Sequence, residues 1–94
     1  MPVKLRMPPI LRAQVGGARE VEVAGATLGD AFDDLFERFP SVRSHIVDET
    51  GAINRFVNVY VQNEDVRLGA GLATPVPDGG TVIVLPAMAG GAAS

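Results

Sequence analysis

The chain has 94 residues, of which 47% are hydrophobic and 20% charged, and its formal net charge is −3. That is enough for one domain around one core and too apolar for intrinsic disorder. An acidic balance with scattered arginines argues against nucleic acid, and no run approaches the roughly 20 apolar residues of a membrane span. The absence of cysteine excludes a disulfide framework, a thiol nucleophile and any Cys-ligated cluster or zinc knuckle. A single histidine leaves no His-rich metal set. No basic-then-apolar leader opens the sequence, because Lys4, Arg6 and two prolines interrupt it, so the expected compartment is the cytoplasm.

"VKLRM" (Val3 to Met7) alternates apolar and basic residues, and "REVEV" (Arg19 to Val23) alternates apolar and acidic ones. A period of two describes half-buried strands, and the opposite charges suit an antiparallel hairpin paired on its wet face. The connector "PPILRAQVGGA", with Pro8, Pro9, Gly16 and Gly17, is expected to be a loop.

The period then changes. Thr27 is a good N-cap, with Asp30 three residues on, and Asp30, Asp33 and Asp34 suit the positive end of a helix dipole. Leu28, Phe32, Leu35, Phe36 and Phe39 form one helical stripe, which Pro40 ends. Three phenylalanines on a stripe need no cofactor to explain them, since a helix packed on a sheet buries the same residues.

"SVRSHIVDETGAIN" reads as one further helical turn followed by a loop through Gly51. In "RFVNVYVQ", Val57, Val59 and Val61 alternate with Phe56, Asn58, Tyr60 and Gln62, and the valines are expected to face the helix. Asn63 to Asp65 should turn the chain, and Val66 to Leu68 should form a short edge piece. "GAGLATPVPDGG" is a loop, and "TVIVL" (Thr81 to Leu85) reads as a central strand covered on part of both faces. The order is β-β-α-β-(β)-β, an α+β fold of four or five strands on one main helix. The last strand is expected beside the first, in parallel.

Three other clusters have ordinary structural explanations. His45 with Asp48 and Glu49 suggests a metal set less well than a surface loop, so no metal site is expected. Glu64, Asp65 and Arg67 read as a solvated hairpin tip or a contact for a basic partner. Gly16-Gly17 and Gly69-Ala70-Gly71 lack the Lys-Ser/Thr that a phosphate loop needs.

Two segments, "RFVNVYVQNEDVR" and "DGGTVIVLPAMAGG", resemble the β-grasp, ubiquitin-like sulfur carriers of the MoaD/ThiS family, nearest to its cysteine-synthesis branch. Glycine pairs are ordinary turn material, but Gly-Gly directly after a final apolar strand in this fold order is specific. The resemblance implies a β-grasp domain over residues 1–86 and a flexible tail over 87–94. It implies that the chain is not an enzyme but a co-substrate. An E1-like adenylyltransferase of the MoeB/ThiF type would use ATP to adenylate the Gly91 carboxyl. A persulfide donor would convert it to a thiocarboxylate, and a cysteine synthase-like or other synthase would accept the sulfur.

No cofactor would be bound, and neither nucleic acid nor membrane is an expected partner. Gly90 and Ala89 would thread the tail into the enzyme, glycine offering no Cβ to crowd the channel. Because Ala92-Ala93-Ser94 follow, the Gly91–Ala92 bond is the expected cleavage site for a JAMM-type metalloprotease. Phe56 and Tyr60 are either the docking surface for the activating enzyme or merely cover the sheet. A ubiquitin-like protein modifier and a plain β-grasp interaction module or synthase subunit are the alternatives.

Overall fold

The computed structural model describes residues 2–66 and 69–86. Strands β1 (Val3–Arg6) and β2 (Glu20–Val23) form the expected antiparallel hairpin, with Val3 opposite Val23 and Arg6 opposite Glu20. Both strands bury their valines and leucine and expose their charges. The Arg6 and Glu20 side chains approach to 3.8 Å on the open face. Exposed as they are, they fix register more than they add stability.

Helix α2 (Leu28–Arg38) starts where the capping residue predicts: the Thr27 hydroxyl accepts a hydrogen bond from the Asp30 amide at 3.2 Å. It buries Leu28, Ala31, Phe32 and Leu35, whereas Phe36 and Phe39 are only partly covered. The stripe is therefore centred nearer Ala31 than the phenylalanines alone suggest. Pro40 closes the helix and opens a short 3-10 turn, which leads into helix α3 (Arg43–Ile46).

Strand β3 (Val57–Val61) buries Val57, Val59 and Val61, and β5 (Thr81–Pro86) buries Val82 and Val84. With the two-residue β4 (Glu64–Asp65), the sheet runs β2-β1-β5-β3-β4. The last strand lies parallel to the first, Leu5 opposite Val82, and antiparallel to β3. One face of this mixed sheet grasps α2, the β-grasp arrangement.

Five expectations need correction. The connector after β1 is not a loop: α1 (Pro9–Arg12) and a 3-10 turn at Ala13–Val15 bury Leu11 and Val15 beneath the sheet end. Proline is compatible with a first helical turn because its fixed φ suits one and its missing amide would be unpaired there anyway. Gly16, at φ 70°, ends the segment in a left-handed conformation.

The hairpin after β3 turns at Gln62-Asn63, not at Asn63 to Asp65. Both residues have positive φ, 51° and 73°, as a two-residue turn matched to strand twist requires. The edge piece is accordingly Glu64–Asp65, opposite Val61 and Tyr60; of the expected Val66 to Leu68, Val66 is buried and Leu68 lies outside the described residues. Gln62 leaves the β3 face, its Oε1 accepting a hydrogen bond from the Thr81 amide at 2.8 Å. Finally, Leu85 is 43% exposed rather than covered.

The helix also protects the sheet edge. Asp34 accepts from the Ala24 amide at 2.8 Å, and Arg38 donates to the Glu22 carbonyl while pairing with Asp34 at 3.5 Å. Backbone groups that would otherwise recruit another strand are thus occupied. This close approach depends on Gly25, where a Cβ would lie 2.5 Å from the Ala31 amide nitrogen. Gly25→Ala should therefore force α2 away from β2 and cost about 1–3 kcal/mol. Chemical denaturation measures this, and an unchanged midpoint would mean that the helix start moves freely.

Candidate functional site

The chain leaves the sheet at the end of β5, where Pro86 stands opposite Val57 at the start of β3. Proline has no amide to continue the ladder, so the last hydrogen-bonded pair is set here by covalent structure. A cavity of about 270 Å³ opens beside it, lined by Pro8, Leu11, His45, Asn54, Phe56 and Pro86 among others. The α1 segment forms one wall and the turn before β3 the other. Ile10, also on the lining, is 72% exposed, and Phe56 is 63% exposed with the Arg55 guanidinium 5.0 Å above its ring. Apolar side chains of this size left open to water mark a surface that gains by being covered.

The open face of the sheet continues this surface. Ile83 sits in register between Arg6 and Tyr60, and Leu85 stands opposite Asn58. Ile83, Tyr60 and Asn58 are half-buried, and the Arg6–Glu20 pair flanks them. The result is an apolar centre with a charged rim.

Of the residues singled out from sequence, Tyr60 lies mid-face, and Phe56 lies at the exit cavity just before β3 rather than within the strand. Ala89, Gly90, Gly91 and Ala92 lie outside the described residues, as does the whole of the expected tail. Ile10, Ile83 and Leu85 were missed. The signal for Ile10 was present: Pro-Pro-Ile-Leu-Arg is a helix start with an apolar residue to spare.

The remaining polar and glycine clusters have local structural roles. Asp48 Oδ1 accepts from the Thr50 amide and hydroxyl at 2.8 and 2.6 Å and from the Ala52 amide at 3.2 Å. Those donors, the Thr50 hydroxyl first, hold its carboxyl below the ordinary value of 3.8. His45 faces the exit cavity instead of joining Asp48, and among the described residues no three His, Asp or Glu side chains gather as ligands. Glu64 and Asp65 form β4, while Arg67 lies outside the described residues. Gly16-Gly17 ends the α1 segment, and Gly71 opens a 3-10 turn at Gly71–Ala73. No described helix is long and apolar enough to cross a membrane.

Residues 8–91 match the model of the ThiS family, from just after β1 to the second glycine of the Gly90–Gly91 pair. The chain belongs to the ThiS family. Within it, the chain is similar to the sulfur carrier protein CysO of Mycobacterium tuberculosis, with 43% identity over 93 residues that span 97% of this chain and 100% of that one. Among solved structures it resembles a chain of the Amycolatopsis orientalis BexX/CysO complex. The TM-score there is 0.85 and the identity 42%, with 90% of this chain and 94% of that one covered. It also resembles the small archaeal modifier protein 1 of Haloferax volcanii, at TM-score 0.77 and 25% identity, covering 92% and 94%.

Proposed function

We propose that this chain is a sulfur carrier whose working group is the main-chain carboxyl of Gly91. The observation that carries the reading is the family match running through Gly91, joined to 43% identity with CysO over nearly the whole chain. A chain without cysteine suits the role, because the sulfur is carried on the acyl end.

The proposed chemistry has three steps. After the Gly91–Ala92 bond is cleaved by a JAMM-type metalloprotease, the free carboxylate attacks the α-phosphorus of ATP on an E1-like adenylyltransferase, and pyrophosphate leaves. A persulfide sulfur then displaces AMP from the acyl carbon. A thiol then attacks the donor-side sulfur of the resulting acyl disulfide, so that the S–S bond breaks, the attacking thiol and the donor are joined as a new disulfide, and the thiocarboxylate that leaves serves a synthase as its sulfur source. By analogy with CysO, a cysteine-forming acceptor is the first to test. Incubating the chain ending at Gly91 with the activating enzyme, ATP and a persulfide donor should exchange one oxygen for sulfur in the intact mass. Persistence of the oxygen form with a competent enzyme would count against the reading.

The body acts as a handle. Tyr60, Ile83 and Leu85 on the open face, with Phe56 at the exit, form the proposed docking surface for the activating enzyme. Tyr60→Asp places a charge at the centre of that face, outside the core. It should reduce activation by roughly tenfold or more while leaving the thermal midpoint nearly unchanged, since a charge buried unpaired at an interface is costly. An unfolded variant would instead make Tyr60 a structural cover.

A protein-modifier reading is also favoured by one observation: 32% identity over 82 residues to small archaeal modifier protein 1, covering 84% of this chain. Conjugates of higher mass, linked through Gly91 to lysines of other proteins, would support it.

A further inference from the structure

Ile10 and Phe56 are the most exposed large apolar side chains of the described residues, at 72% and 63%, and both border the cavity of about 270 Å³ at the end of β5. Both are held in place by their neighbours. Leu11 is buried and its amide donates to the Pro8 carbonyl at 2.9 Å, which leaves Ile10 facing outward. The Phe56 amide donates to Asn54 Oδ1 at 3.0 Å, and the Asn54 amide to the Ile46 carbonyl at 2.8 Å, so the turn before β3 is tied to α3. A surface already fixed in its binding shape loses little entropy when it is covered. The cavity is smaller than the roughly 300–1,000 Å³ that hold drug-sized ligands, so it suits one side chain rather than a cofactor.

Charge indicates what should accompany that side chain. The chain has 11 Asp and Glu residues, yet none of the described ones lines this cavity. Its rim carries instead the Arg55 guanidinium, 5.0 Å from the centre of the Phe56 ring, and His45 lies on the lining. Arg6 and Arg38 have carboxylate partners at 3.8 and 3.5 Å, whereas Arg55 has none among the described residues. A guanidinium lying over an aromatic face keeps N–H groups free for a carboxylate, which it can bind through two parallel hydrogen bonds. We propose that this cavity, with Ile10 and Phe56 as walls and Arg55 as rim, receives an apolar side chain of leucine or phenylalanine size, next to a carboxylate, on the activating enzyme. Arg55 is then the residue that selects the partner, because an aromatic ring and an arginine at one pocket concentrate binding energy there. The identity of the partner rests on the carrier reading above; the chemistry of the cavity does not.

Two measurements separate the cavity from the identity of its partner. In NMR titrations at low salt, the 94-residue chain meets 3-phenylpropionate, a phenyl group with a carboxylate, or the neutral 3-phenylpropanamide. Both should shift the Ile10, His45 and Phe56 signals and leave those of α2 unmoved. The acid should bind roughly threefold tighter or more, the size expected of an exposed ion pair, and the margin should vanish in Arg55→Gln and at high salt. The second measurement is ATP–pyrophosphate exchange with the chain ending at Gly91. There Arg55→Glu should raise KM roughly tenfold or more with kcat kept, and Arg55→Gln should raise it less, because like charges across an interface repel. Arg55 is exposed, so neither variant disturbs the core. Equal affinity for acid and amide, a margin kept by Arg55→Gln, or an unchanged KM in Arg55→Glu would each overturn the proposal. Concentration-dependent shifts of Ile10 and Phe56 in the free protein would also overturn it, by giving the surface to a second copy of the chain. A wild-type chain that supports no exchange would remove the carrier reading and with it the named partner, while the titration still decides what the cavity accepts.

Discussion

A chain truncated after Gly91 is expected to support ATP–pyrophosphate exchange with its activating enzyme, and the 94-residue chain is expected to support none. In the longer form the Gly91 carbonyl belongs to an amide, which has no carboxylate oxygen to attack ATP. The terminal carboxyl then belongs to Ser94, three residues further out and on a residue with a Cβ. A channel that threads Gly-Gly discriminates against that side chain, and the reacting atom overshoots the phosphate by three residues, about 10 Å at full extension. The difference should be all-or-none within the sensitivity of the assay. A chain ending at Ala92 separates the two causes, since it overshoots by one residue and adds one methyl group. Equal exchange by the 94-residue and truncated forms would remove the requirement for cleavage.

Phe32→Ala is expected to destabilise the body by about 3–5 kcal/mol, against about 5–15 kcal/mol for a typical domain. Phe32 is 1% exposed, in the same core as the fully buried Leu5, Leu28, Leu35 and Val59. Its ring also stacks on Phe36, with centroids 5.7 Å apart. Truncation removes the transfer free energy of a whole ring and leaves a void between helix and sheet that two rigid elements cannot collapse to fill. Phe36→Ala, at a partly covered position, should cost clearly less. Denaturant midpoints of the two variants decide the point. Similar losses would place the centre of the helix–sheet contact nearer Phe36. Because docking needs a fixed sheet face, Phe32→Ala should also weaken activation at temperatures where wild type is unaffected.

Much of the fold could be read from periodicity. Alternation in Val3 to Met7 and Val57 to Val61 reports which side chains are covered, and the Leu28–Leu35 spacing reports a helix face, because burial and repeat geometry are the same fact. The parallel pairing of the first and last strands follows from both needing a neighbour. Local conformation without periodicity was not legible. Pro9–Arg12 is too short to show a repeat, and Gln62 at φ 51° takes a conformation that its side chain does not advertise. Leu85 misled for another reason: an apolar residue awaiting a partner looks the same in sequence as one already in the core. The functional end was legible only through family resemblance, since a main-chain carboxyl has no side-chain signature.

The most direct test is intact-mass spectrometry of the protein from its native cell. The account predicts a chain that has lost Ala92-Ala93-Ser94 and carries, in part of the population, one sulfur in place of a terminal oxygen. A single species retaining all three residues under sulfur-demanding growth would contradict it.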